Sequence, residues 1–168
     1  LKAITIHQPW ATLIALGVKR FETRGWPTNH RGEIAIHAAK KVDKEICQQE
    51  PFRSVLAKHG YTAENLPTGA VVAIAQLTGS YTIYNTIDNG IHIVRCPNSE
   101  YDFTKVKFIW KPEIAFGYFA EGRYAWEMTD VKRIDPVPAK GQQGLWNWGG
   151  ERDGIGQADP TRFSPSRA

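Results

Sequence analysis

The sequence predicts an α+β protein, a small curled sheet or barrel with flanking helices, on three observations. Apolar–polar alternation occurs at residues 2–6, 33–38 and 123–134. A nearly continuous apolar run at residues 70–77 has the length of a strand covered on both faces. Two further segments, opening near Pro9 and Asp43, carry helical spacing instead.

The first strand is residues 2–6. Pro9 suits the first turn of a following helix, where its missing N–H would have had no partner. Trp10, Leu13, Ile14 and Leu16 give that helix an apolar stripe, and Gly17 stops it. Residues 20–24 read as a second strand and residues 26–32 as a loop. In the strand at 33–38, Ile34 and Ile36 share one face while Glu33 and His37 share the other. Residues 43–58 fit one surface helix with Ile46, Val55 and Leu56 among its buried positions. Pro67, Thr68 and Gly69 turn the chain into the apolar strand. Residues 80–112 show no legible period. Tyr124, Trp126 and Met128 then fall on one face of a strand, and residues 145–148 suit a short closing one.

A chain of 168 residues, 42% hydrophobic, fits one globular domain, expected over residues 1–149. Residues 150–168 are polar and weakly patterned and are expected to be a loosely attached tail. No stretch has the length of a membrane span, and the first residues turn polar too quickly for a signal peptide. Cys47 and Cys96 lack any paired spacing, which predicts two free thiols and a cytoplasmic setting. The five histidines are scattered, so no metal site is expected, and no phosphate-binding glycine loop points to a cofactor.

Charge is unevenly placed. Residues 1–41 hold seven basic and two acidic side chains and carry +5, whereas the rest of the chain is −1. A basic quarter on a near-neutral body suits a local anionic partner, although a solvated charged face accounts for the same pattern. The basic residues concentrate in GVKRFETR, residues 17–24. On a strand, Arg20, Glu22 and Arg24 share a face and Phe21 points the other way. A carboxylate between two arginines can hold a guanidinium in a fixed orientation. Strict alternation leaves Lys19 on the Phe21 side, so it joins Glu22 only if the backbone turns after Gly17.

GVKRFETR is similar to the GxKxxExR signature of ASCH domains, members of the PUA-like group of small β-barrels. HQPWA at residues 7–11, the Arg24-Gly25-Trp26 and His30-Arg31-Gly32 stretches, IHA at 36–38, the strand from Gly69 and GQQGLW at 141–146 resemble further family segments in the right order. Ala73 stands where a second glycine is common. The resemblance spans about residues 2–148. It implies a PUA-like barrel of about five or six strands, with Lys19, Glu22 and Arg24 lining a cleft that takes RNA, single-stranded DNA or a modified nucleoside.

Around that cleft, Trp26 and Trp10 are candidates for base stacking. Arg24 and Arg31 are candidates for phosphates or a base edge. Gln8 suits a base edge or a helix cap, and Gln142 a polar contact or a plain turn. His37 is either a solvated strand residue or a group near the cleft. The alternative function is a hydrolase, a ribonuclease or modified-cytidine amidohydrolase, with Lys19 and Glu22 catalytic. In the hydrolase branch of the family a threonine nucleophile occupies the position of Glu22, and a carboxylate cannot replace that hydroxyl in acyl transfer.

Overall fold

The computed structural model describes residues 1–87, 91–95, 106–109 and 111–149. The expected tail at 150–168 and Cys96 lie outside these residues. The chain divides into two compact units: residues 1–18, 33–76 and 130–149 form the first, and residues 19–32 and 77–129 the second. Two long strands, β4 (Ala70–Ile87) and β7 (Tyr124–Pro138), contribute a segment to each.

In the first unit β1 (Lys2–Gln8) pairs in parallel with β3 (Gly32–Val42), Ile4 opposite Ile36, and antiparallel with β8 (Leu145–Asn147), Ala3 opposite Trp146. The order is β7-β4-β3-β1-β8, a mixed ladder. The barrel that the resemblance implies is not closed here: among the described residues, no pairing joins the end strands β7 and β8 of this unit. Ala3, Ala35, Val71, Trp146 and Trp148 pack together as a core. Residues 34–38 of β3 are all buried, so both faces of this strand are covered. The one-faced reading of 33–38 fails for that reason, and His37 is 2% exposed rather than solvated.

Helix α1 (Trp10–Ala15) follows Pro9 and ends as expected before Gly17, whose φ of 74° is the left-handed conformation that favours glycine. Ala11 through Ala15 are all buried, and half-buried Trp10 meets Phe52 edge-on at 6.0 Å. The single helix expected over 43–58 is two, α2 (Lys44–Cys47) and α3 (Phe52–Lys58). Pro51 sits at the break, since it has no N–H to continue a helical ladder. Asp43 caps α2 through its side chain, which accepts from the Ile46 N–H at 3.0 Å. Cys47 is a free, buried thiol pushed up in pKa by that burial, with Asp43 and Glu64 adding to it.

The second unit has the order β2-β7-β4-β5-β6, where β2 is Phe21–Arg24, β5 Ile91–Arg95 and β6 Val106–Ile109. Much of the stretch with no legible period is thus strand, β4 running on to Ile87 and β5 and β6 pairing antiparallel. Phe21, Ile83, Ile109, Phe119 and Ala125 form its core. A 3-10 turn at Glu113–Phe116 precedes β7.

Candidate functional site

Strand β2 is short and lies at the end of the second unit's strand order. It pairs antiparallel with β7, Phe21 opposite Glu127 and Arg24 opposite Tyr124, and the Met128 N–H donates to the Arg20 carbonyl at 2.8 Å. Phe21 points into the core at 7% exposure, the anchor that its apolar side chain predicts.

Lys19, Glu22 and Arg24 come together. Lys19 Nζ lies 3.8 Å from Glu22 Oε1, and Arg24 Nη2 lies 3.1 Å from Glu22 Oε2. The backbone turn that Lys19 required is present, since its ammonium folds back and donates to the carbonyl of Phe21. Lys19 is wholly buried. Its pKa is lowered, first by that desolvation, against which Glu22 and Glu113 pull upward while Arg24 adds to the lowering. The amine therefore does not line an open cleft. It stands behind Glu22, and Glu22 in turn holds the Arg24 guanidinium, whose side chain is 24% exposed.

Arg20 does not join this chain of charges. It precedes β2 and is exposed, just after the turn and bend at residues 16–18. The Glu113 carboxylate accepts from the Arg20 N–H at 3.1 and 3.0 Å and from the Phe21 N–H at 2.9 Å. The expected face of Arg20, Glu22 and Arg24 is thereby corrected to Lys19, Glu22 and Arg24, with Arg20 outside.

Trp26 is half-buried, its ring edge-on to Trp126 at 4.7 Å and 88°, and its carbonyl accepts from Trp126 Nε1 at 3.2 Å. Arg31 is exposed and braces its own loop, Nη1 donating to the carbonyls of Thr28 at 2.9 Å and His30 at 2.8 Å. Gln8 belongs to the first unit and is fully buried. Its Oε1 accepts from the Thr12 N–H at 3.0 Å, and its Nε2 donates to Thr12 Oγ1 and the Pro67 carbonyl, both at 2.7 Å. That amide is a helix cap with both ends committed, which removes it from the base-reading set. Trp10 also lies in the first unit, packed on Phe52.

Three contributors went unread in the sequence. Glu113 sits in the segment with no legible period. Tyr118 is 67% exposed, and the Arg123 guanidinium lies 4.8 Å from its ring centroid. Both are tied to β2: the Tyr118 N–H donates to Thr23 Oγ1 at 3.1 Å, and Arg123 Nη2 to the Thr23 carbonyl at 3.3 Å. An aromatic next to Gly117 and five residues before an arginine was the available signal. Among the described residues, no three His, Cys, Asp or Glu side chains converge as a metal site, and no helix is long and apolar enough to cross a membrane.

Comparison with known proteins places this arrangement. The ASCH domain family profile matches residues 4–138. Activating signal cointegrator 1 from Homo sapiens is 35% identical over 77 residues, and its Mus musculus counterpart 34% over the same length. The matched stretch is 44% of this chain but only 13% of those proteins. A crystal structure of ASCH from Zymomonas mobilis superposes with a TM-score of 0.51 at 14% identity, covering 94% of each chain. A tyrosine-to-phenylalanine mutant of the same Zymomonas mobilis protein gives 0.51 at 16%, covering 94% of this chain and 96% of that one.

Proposed function

We propose that this chain, which belongs to the ASCH family, binds single-stranded nucleic acid or a modified nucleoside through the surface carried by β2. The PUA-like fold of the family is associated with nucleic-acid binding. One observation carries the reading: a buried lysine backs a carboxylate that holds a part-exposed arginine in one orientation. A guanidinium fixed in this way offers a planar fork whose geometry suits phosphate or a base edge, with little entropy left to lose on binding. Arg31 supplies a second exposed cation, and Trp26 and Tyr118 supply ring surface for stacking. Lys19 and Glu22 act here as positioning residues rather than contacts.

The test is fluorescence anisotropy with short RNA and single-stranded DNA across a salt series. With Arg24 and Arg31 each meeting a phosphate, log K falls against log salt with a slope of about −1.4. That is roughly a sevenfold loss between about 50 and 200 mM salt. Affinity that stays flat over this range refutes phosphate recognition by these arginines, and the screen then turns to uncharged modified nucleosides.

The hydrolase alternative has one observation in its favour, a lysine whose pKa is lowered by burial beside a carboxylate. Its weakness is that the same burial leaves the amine no exposed surface from which to meet a substrate. Turnover of RNA or of acylated cytidine that disappears in Glu22→Gln would establish it over simple binding.

A further inference from the structure

The first unit contains a cavity of about 1000 Å³ between the end of β3 and the segment that follows β7. Its floor is Gly69, pinned at both sides: its N–H donates to the Ala38 carbonyl at 2.8 Å, and its carbonyl accepts from the Ala139 N–H at 3.0 Å. The aliphatic stem of Lys40 lies over this glycine, with Cγ 3.6 Å from where a Cβ would stand.

His37 is the buried polar group of the wall. Its Nε2 lies 2.7 Å from the Ala139 carbonyl, which can only accept, so Nε2 carries the hydrogen. In the neutral ring Nδ1 is then a bare acceptor, and it has no hydrogen-bond partner in the structure. An edge-on contact with Trp146, centroids 5.5 Å apart, fixes the ring. Gly141 borders that nitrogen so closely that a Cβ there would fall 2.9 Å from it. A buried acceptor left without a donor is unfavourable, and a ligand that brings an N–H would relieve it.

The rest of the lining has a definite chemistry. Lys40 and Lys140 contribute charge, and among the described residues no carboxylate lines the cavity, so this lining favours an anion. Pro138, Ala139 and Gly69 offer apolar wall, while Gln142 and Gln143 each bring an amide that donates and accepts. The volume is at the upper end for a small-molecule site.

We propose that this cavity is a separate site for a nucleoside 5′-monophosphate, free or at the 5′ end of a strand. The phosphate sits on Lys40 and Lys140, and the base lies against the apolar wall. Its ring N–H or exocyclic amine donates to His37 Nδ1 once the Gly141 backbone bordering that buried nitrogen shifts aside. No part of this depends on the β2 surface.

The experiment is a heteronuclear NMR titration of the full chain with each of the four nucleoside monophosphates, the matching nucleosides, inorganic phosphate, and short oligonucleotides with and without a 5′-phosphate. At least one monophosphate is expected to bind below about 1 mM, shifting the His37 ring and the Gln142 and Gln143 side-chain amides, with its nucleoside at least about tenfold weaker. Preference for the 5′-phosphorylated oligonucleotide over the free monophosphate assigns the site to strand ends; the reverse assigns it to free nucleotides. Lys40→Met with Lys140→Met, both at exposed positions, is expected to weaken binding about tenfold or more. His37→Phe tests the base contact, with the melting temperature checked alongside. Arg24→Ala should leave the monophosphate titration unchanged, even where it disturbs oligonucleotide binding through β2. Failure of every monophosphate to bind, or binding undiminished in the double lysine variant, overturns the proposal.

Discussion

Replacing Lys19 with methionine removes one charge from a buried chain of three and leaves a side chain of similar length to fill the space. Two losses follow. The Phe21 carbonyl loses its donor, and a buried acceptor left unsatisfied costs about 1–3 kcal/mol. Glu22, whose side chain is 9% exposed, loses one of its two cations. Removing one partner of a buried pair costs about 3–5 kcal/mol when nothing else compensates. Here Arg24 still holds the carboxylate at 3.1 Å, and the apolar methionine recovers packing and escapes the desolvation of an ammonium, so the net is smaller. We expect destabilisation of about 2–4 kcal/mol in urea unfolding, hence a Tm lower by roughly 5–15 °C. The double variant Lys19→Met with Glu22→Leu should regain much of this, because an apolar pair often replaces a buried ionic one at little cost. A Lys19→Met chain within about 0.5 kcal/mol of wild type would show that the lysine supports neither Glu22 nor the strand, and the positioning argument would go with it.

The same lysine has a pH signature. Its folded pKa is below 10.5, so between the two values the unfolded chain binds more protons and stability rises with pH. Wild type should therefore gain on Lys19→Met as pH climbs toward 10.5 in parallel melts, and a gap between the two that narrows with rising pH would contradict the burial of the amine. Arg24→Ala removes the nearer cation of Glu22 and should cost about 1–2 kcal/mol, while it weakens oligonucleotide binding and makes the salt slope shallower by about 0.7, one phosphate contact on a single strand. Glu113→Ala frees two backbone N–H groups that it now satisfies and should cost about 1–2 kcal/mol in urea, whereas Glu113→Gln should retain part of that. Gln8→Ala strips the cap of α1 inside the core and should cost about 2 kcal/mol without affecting nucleic-acid affinity; a selective loss of affinity would return Gln8 to the site.

Local pattern was enough for some of this and not for the rest. The strand at 2–6, the stop at Gly17 and the strand from Ala70 are legible because each depends on neighbours in sequence: alternation, a left-handed glycine, an apolar run. The grouping of Lys19 with Glu22 was legible only as a condition, since spacing sets faces and the turn at Lys19 depends on what the amine can reach. His37 was misread because periodicity assumes one covered face and β3 has two. Gln8 was ambiguous because a glutamine before a helix serves a cap or a ligand equally well, and only the Pro67 carbonyl decided it. Glu113, Tyr118 and Arg123 act on β2 from about 90–100 residues away, and no local window contains that information.

That separation has a consequence for how the protein comes to exist. Strand β2 pairs with β7, and its first two N–H groups wait for Glu113. A ribosome adding about 5–20 residues per second reaches Tyr124 roughly 5–20 s after Arg24 has been made. Throughout that interval the most basic part of the chain has no strand partner in the completed sequence and no carboxylate to seat its backbone. Residues 21–24 can therefore take up their strand pairing only after β7 has been made. A nascent chain halted before β7 would display the motif without the arginine fixed in place.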